Sequence, residues 1–170
     1  SARRLRRGKR HQKDRGFKAM SLLDRLTEEL KEALRAGNHT KLSVIRLLKS
    51  SIKNREIEKM APLTDEEVIA IIMTALKQRR ESIEQFQKGG REDLVQKEKS
   101  ELEVLQTFLP QQLSEEELVG EIQAVIREVG ASSPKDMGKV MKILMIRLKG
   151  RAEGAKVSSL VKELMEAHAH

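Results

Sequence analysis

Phe108-Leu109-Pro110-Gln111-Gln112-Leu113-Ser114-Glu115-Glu116-Glu117-Leu118 is the stretch on which the reading of this 170-residue chain turns. Up to Leu109 the leucines recur at helical spacing. Pro110 then removes a backbone donor and pushes the residue before it toward extended backbone, so the helix stops. Ser114 offers a hydroxyl to the orphan N–H groups of a new helix and Glu117 sits at the reciprocal capping position, so another helix starts at once. This break predicts two helical modules meeting at Leu109-Pro110, preceded by a basic arm: residues 1–19 as the arm, 20–110 as an N-terminal helical domain and 111–170 as a C-terminal one.

The same punctuation marks the remaining elements. Four helices precede the break. The first runs from about Ser21 to Ala36 and stops at Gly37; the second follows Asn38 to about Met60, ended by Pro62. The third opens on Thr64-Asp65-Glu66-Glu67 and stops at Gly89-Gly90, and the fourth runs from about Arg91 to Phe108. Three helices follow it: one from Ser114 to Gly130, one starting at Ser133-Pro134 and closed by Gly150, and one from about Ala155 to the C-terminus. Charged residues make up 35% of the chain and hydrophobic ones 38%, with three Phe and no Tyr or Trp. That balance suits amphipathic helices packed through Leu, Ile, Val and Met, and the expected fold class is all-α.

Composition also excludes several chemistries. Without cysteine there is no disulfide, thiol nucleophile or thiolate metal site, a pattern expected of a cytoplasmic protein. No apolar run approaches the length of a membrane span. Ser50-Ser51, Ser132-Ser133 and Ser158-Ser159 lack the strand-turn context of an activated serine, no glycine-rich phosphate loop is present, and His168 and His170 would need outside ligands to hold a metal. No catalytic residue, metal or cofactor is expected.

The formal charge is +8, and residues 1–19 hold nine Lys/Arg against Asp14 alone, leaving 25 basic and 25 acidic residues elsewhere. The excess is therefore a property of the arm. It reads as an extension upstream of Met20, which fits the position of an initiator. The alternative is an arm that grips RNA phosphates. A mitochondrial presequence fits less well, because only Leu5 and Phe17 could form an apolar face.

Charges on apolar faces need partners. In the third helix Val68, Ile72, Leu76, Ile83 and Phe86 share one face with Arg79 among them; in the fourth, Leu94, Leu102, Leu105 and Leu109 share one with Glu98 and Glu101. If Gly89-Gly90 turns the chain back on itself, Arg79 lands opposite residues near 100 and should pair with Glu98, Glu101 or both. A guanidinium fork between two carboxylates would fix the register of the hairpin. The alternative, a paired-carboxylate acid/base site, lacks any His nearby in sequence.

Basic residues also fall in rows. Lys135, Lys139, Lys142 and Lys149 line the face of the sixth helix opposite Met137, Val140, Met141, Leu144 and Leu148. A second row, Arg46, Lys49 and Lys53, runs along the second helix. Such rows are either solvated faces or phosphate contacts. With only Phe86 and Phe108 as aromatics outside the arm, both at apolar-face positions, an RNA partner would be met through backbone and shape.

Several separated motifs carry a family resemblance. Lys135-Asp136-Met137-Gly138-Lys139-Val140-Met141, Gly150-Arg151-Ala152-Glu153-Gly154 and Val157-Ser158-Ser159-Leu160-Val161-Lys162 resemble the C-terminal tail domain of the GatB subunit of glutamine-dependent tRNA amidotransferases. Leu42 to Lys49, Lys77 to Ile83 and Glu98 to Pro110 extend the likeness to the stand-alone GatB/YqeY-domain (YqeY-like) proteins, over residues 20–167. Two positions depart from the pattern: Glu153 stands where Asp is more usual, and Ser158 where Asn is expected.

The resemblance implies an N-terminal four-helix module followed by a three-helix GatB-tail-like module. In the amidotransferase that tail contacts tRNA while amide transfer takes place in other parts, which have no counterpart here. The family label, carbon-nitrogen ligase with glutamine as amido donor, would then be inherited from the tail's usual company. The leading expectation is a non-catalytic accessory that docks on tRNA or a tRNA-handling complex. Lys135, Lys139, Lys142, Lys149 and Arg151 would supply phosphate contacts, and Gly138, Gly150 and Gly154 close backbone approach. The alternatives are an accessory subunit of an amidotransferase and a protein-interaction module.

Overall fold

The computed structural model describes residues 20–168, and the arm and His170 lie outside them. Among the described residues the chain is all-helical, with no strand. The helices are α1 (Leu22–Ala36), α2 (His39–Lys59), α3 (Asp65–Lys88), α4 (Glu92–Thr107), α5 (Glu115–Val129), α6 (Met137–Arg147) and α7 (Gly154–His168), with a short 3-10 turn at Pro134–Asp136. The chain forms two compact units, one up to Phe108 and one from Leu109 onward.

Local chemistry sets most of the boundaries. Ser21 Oγ accepts the amide of Asp24 at 3.1 Å, Ser114 Oγ that of Glu117 at 3.2 Å, and Thr64 and Glu67 cap each other reciprocally. Gly37 and Gly130 end α1 and α5 in the left-handed region, at φ 66° and 68°. Two boundaries differ from the sequence expectation. Pro62 does not itself stop α2; Met60 does, by taking φ 60° so that the amides of Met60 and Ala61 reach back to Ile57 and Glu56. The sixth helix does not run unbroken from Pro134 to Gly150. It begins as the 3-10 turn, with the Asp136 carboxylate accepting the amides of Ser132 and Ser133, and its α-helical part ends at Arg147.

In the first unit the buried side chains are Leu26 and Ala33 of α1, Val44, Ile45, Leu48 and Ile52 of α2, Val68, Ile72 and Leu76 of α3, and Val95, Leu102 and Leu105 of α4, with Phe108 after it. Arg25 closes the bottom of this core. Its Nη2 donates to the Thr107 carbonyl at 2.7 Å and its guanidinium lies 5.4 Å from the centre of the Phe108 ring, so the first helix holds the end of the fourth.

The hairpin of α3 and α4 carries the Arg79 cluster. Nη1 of Arg79 stands 3.1 Å from Glu98 Oε2 and 2.6 Å from Glu101 Oε2. Glu101 is the buried charged residue among the described ones, at 6% exposure. Its Oε2 has no aligned hydrogen bond, so it is held by charge contact with the guanidinium alone. A buried charged group needs a partner, and the position where Arg79 meets both glutamates matches one offset of α3 along α4.

The second unit packs around Leu118, Ile122, Val125 and Ile126 of α5, Val140 and Leu144 of α6 with Leu148 after it, and Val157, Val161 and Met165 of α7. Its entry segment is strapped to the turn between α6 and α7. The Leu113 amide donates to the Arg151 carbonyl at 3.0 Å, and Gln112 Nε2 donates to the Gly150 carbonyl at 2.6 Å. Across the outside, Arg147 grips Glu128 with both terminal nitrogens, at 3.1 and 2.6 Å. The guanidinium holds the Glu128 carboxyl below its ordinary value, so this bridge persists until the pH falls through that lowered value.

Arg79→Leu should leave two glutamates without their cation and lower the unfolding free energy by about 3 kcal/mol at neutral pH, measured by urea denaturation. Adding Glu98→Gln and Glu101→Gln to that variant should restore part of the loss, because the deficit comes from unpaired charge rather than from lost volume. In the second unit, Leu144→Ala should cost about 2–5 kcal/mol, read from the denaturation of signals belonging to α5 to α7.

Candidate nucleic-acid interface

α6 is amphipathic because its buried residues return at the helical period. Val140 and Leu144 point into the core, with Met137 and Met141 half-buried beside them. At about 100° per residue, Lys139 and Lys142 fall on the opposite side; both are exposed, as is Lys135 in the 3-10 turn before the helix. Neither Lys139 nor Lys142 has an ion-pair partner among the described residues, so their ammonium groups stand in water at one-turn spacing. Lys149 and Arg151 are exposed in the turn that follows. The Gly150 and Arg151 carbonyls are the two that receive the strap from Gln112 and Leu113, so the backbone that carries Arg151 is fixed.

The three glycines of this region differ. A Cβ on Gly138 would meet nothing within 4 Å, so the backbone beside Lys139 is open to an approaching ligand. Gly150 is buried and sits at φ 77°, where it makes the turn. Gly154 lies under the Met145 side chain, whose Cε would be 3.4 Å from a Cβ there. Of the three, Gly138 is the one that faces solvent; the other two shape the turn and seat α7.

The row on α2 is broken. Arg46 and Lys53 are exposed, but Lys49 is half-buried and its Nζ donates to Thr27 Oγ1 of α1 at 3.0 Å. That ammonium is turned toward α1, with its stem packed between the two helices, so it does not stand in line with Arg46 and Lys53. Elsewhere in this unit, α2 and α3 enclose a groove of about 880 Å³, walled by Val44, Leu48, Ser51, Ile71, Thr74 and Arg79 with Leu105 at one side. The charges at its mouth neutralise each other, since Lys59 Nζ stands 2.5 Å from Glu67 Oε1 and Arg55 Nη1 3.7 Å from Glu58 Oε2. It offers phosphate no net attraction.

The pattern of rows omitted one residue. Ile146 is 73% exposed and falls on the helical wheel between Lys142 and Lys139, roughly opposite the core. Met145 beside it is 49% exposed. Assigning apolar residues to the core by type hides this position, whereas its angle on the wheel reveals it. Among the described residues no group of three or more His, Asp or Glu is placed to hold a metal ion, and no helix is long and apolar enough to cross a membrane.

Comparison with known proteins places these features in a family. Residues 23–165 match the model of the Yqey-like protein family. Curated relatives include "Altered inheritance of mitochondria protein 41, mitochondrial" of Eremothecium gossypii, 39% identical over 63% of this chain and 60% of its own length. The protein of the same name in Pyrenophora tritici-repentis is 31% identical over 86% of this chain and 82% of its own. That of Saccharomyces cerevisiae is 30% identical over 82% and 66%. This chain thus spans about 60% of the length of the Eremothecium relative.

All three are named as mitochondrial proteins, which overturns the expectation of a cytoplasmic one. The lack of cysteine that suggested the cytoplasm marks only the absence of disulfides, and says nothing of which compartment holds the chain. A family match over residues 23–165, together with relatives at 30% identity or more, establishes that the chain belongs to the Yqey-like family.

Proposed function

We propose that this chain is a mitochondrial RNA-docking accessory, organised as a four-helix module followed by a three-helix GatB-tail-like module, with tRNA or a tRNA-handling complex as its partner. The observation that carries the reading is the outer face of α6. Lys139 and Lys142 project opposite the buried Val140 and Leu144, Lys135 stands exposed in the 3-10 turn before them, and the turn after the helix adds Lys149 and Arg151. Phosphates are met by such a row through charge and counterion release, which positions RNA without reading its sequence. The compartment follows from the relatives named as mitochondrial.

No amide-transfer step is assigned to these residues. The carbon-nitrogen ligase label comes with the GatB resemblance, and in that setting the tail holds the carrier while chemistry is done by other parts. Here the paired glutamates of α4 face Arg79 and serve the register of the α3–α4 hairpin. This supports a docking role in which any enzymatic activity belongs to a partner.

Lys139→Glu combined with Lys142→Glu, in the full chain, should reduce affinity for tRNA by tenfold or more at low salt, and should shallow the slope of log affinity against log salt by about one for each lysine removed. Filter binding across a salt series measures both. Unchanged affinity and slope in this variant would remove the RNA reading and leave a protein-interaction module.

A further inference from the structure

The phosphate row on α6 has an apolar residue at its centre. Ile146 takes no part in the core of its unit, since it faces away from Val140, Leu144 and Leu148 and is 73% exposed. Lys139 and Lys142 lie two turns and one turn before it on the same side of the helix.

We infer that Ile146 is the contact for an unstacked nucleobase, so that the face of α6 binds folded RNA at a loop whose base has left the stack. The inference rests on the RNA reading above and adds to it the kind of RNA bound. An apolar side chain beside Lys139 and Lys142 gives a base a dry surface to lie against while those two lysines hold the neighbouring phosphates. A paired stem buries its base faces and offers Ile146 nothing.

The same chemistry, lysine around an apolar point, also occurs on proteins that sit on anionic membranes. Those use a continuous apolar face sunk into the lipid. The continuous apolar face of α6 is occupied by its own core, and only Ile146 with half of Met145 stands outside. One and a half side chains suit a base better than a bilayer.

The test uses the full chain and a stem-loop RNA with a single-stranded loop, compared with the same RNA after its loop is annealed to a complementary strand. Ile146→Ser, which removes an exposed side chain and should leave the thermal melt unchanged, is expected to weaken stem-loop binding about fivefold. The salt slope should stay the same, and affinity for the annealed RNA should not change. Equal weakening of both RNAs, or of neither, overturns the inference. So does Ile146-dependent sedimentation with phosphatidylglycerol vesicles in place of RNA binding. Lys139→Glu with Lys142→Glu separates the two levels: if it lowers affinity for both RNAs while Ile146→Ser does nothing, only the base contact falls. If it changes neither, the RNA reading falls and takes the base contact with it.

Discussion

A carboxylate that is almost out of water must have a cation beside it, and in the first unit that requirement fixes more than any single apolar contact. Leucines and isoleucines on α3 and α4 could mesh at several offsets with similar burial. Glu101 permits the offset at which Arg79 reaches it, and Glu98 one turn earlier draws on the same guanidinium nitrogen. With α3 and α4 set, Phe108 is delivered to the point where Arg25 caps it, and α1 is anchored to the end of α4. The interaction contributes specificity more than net energy, because two carboxylates and one guanidinium lose much of their hydration to meet.

The features that were legible in the sequence are those governed by a few adjacent residues. Ser21, Thr64 and Ser114 cap helices wherever they precede a free first turn, and Gly37 and Gly130 end them because a left-handed residue is needed there. Arg79, Glu98 and Glu101 were legible as neighbours because the turn at Gly89-Gly90 makes residues equidistant from it meet. What escaped depends on contacts from far along the chain. Lys49 looks like its neighbours in a row until Thr27 of another helix takes its ammonium group. Gly150 looks like a site for close approach until Gln112, far earlier in sequence, is found on its carbonyl.

The candidate interface divides the same way. The lysine row follows from helical period alone, so it could be drawn from spacing. Ile146 was hidden by residue type, since an isoleucine is read as core until the direction of the core is known from Val140 and Leu144. Compartment lies beyond both kinds of reasoning, because the forces that fold helices are the same on either side of an organelle membrane. The relatives are named as mitochondrial, and that, not the fold, corrects the cytoplasmic expectation.

The strap that joins Gln112 and Leu113 to the carbonyls of Gly150 and Arg151 has a consequence for motion. Local opening in a helical protein is cheapest at turns, where few bonds must break together. Here the turn between α6 and α7 shares its hydrogen bonds with the segment that leads into α5, so neither opens alone. The backbone at Gly150 and Arg151 is thus held by residues nearly forty positions earlier, and its conformational entropy is lost when the chain folds.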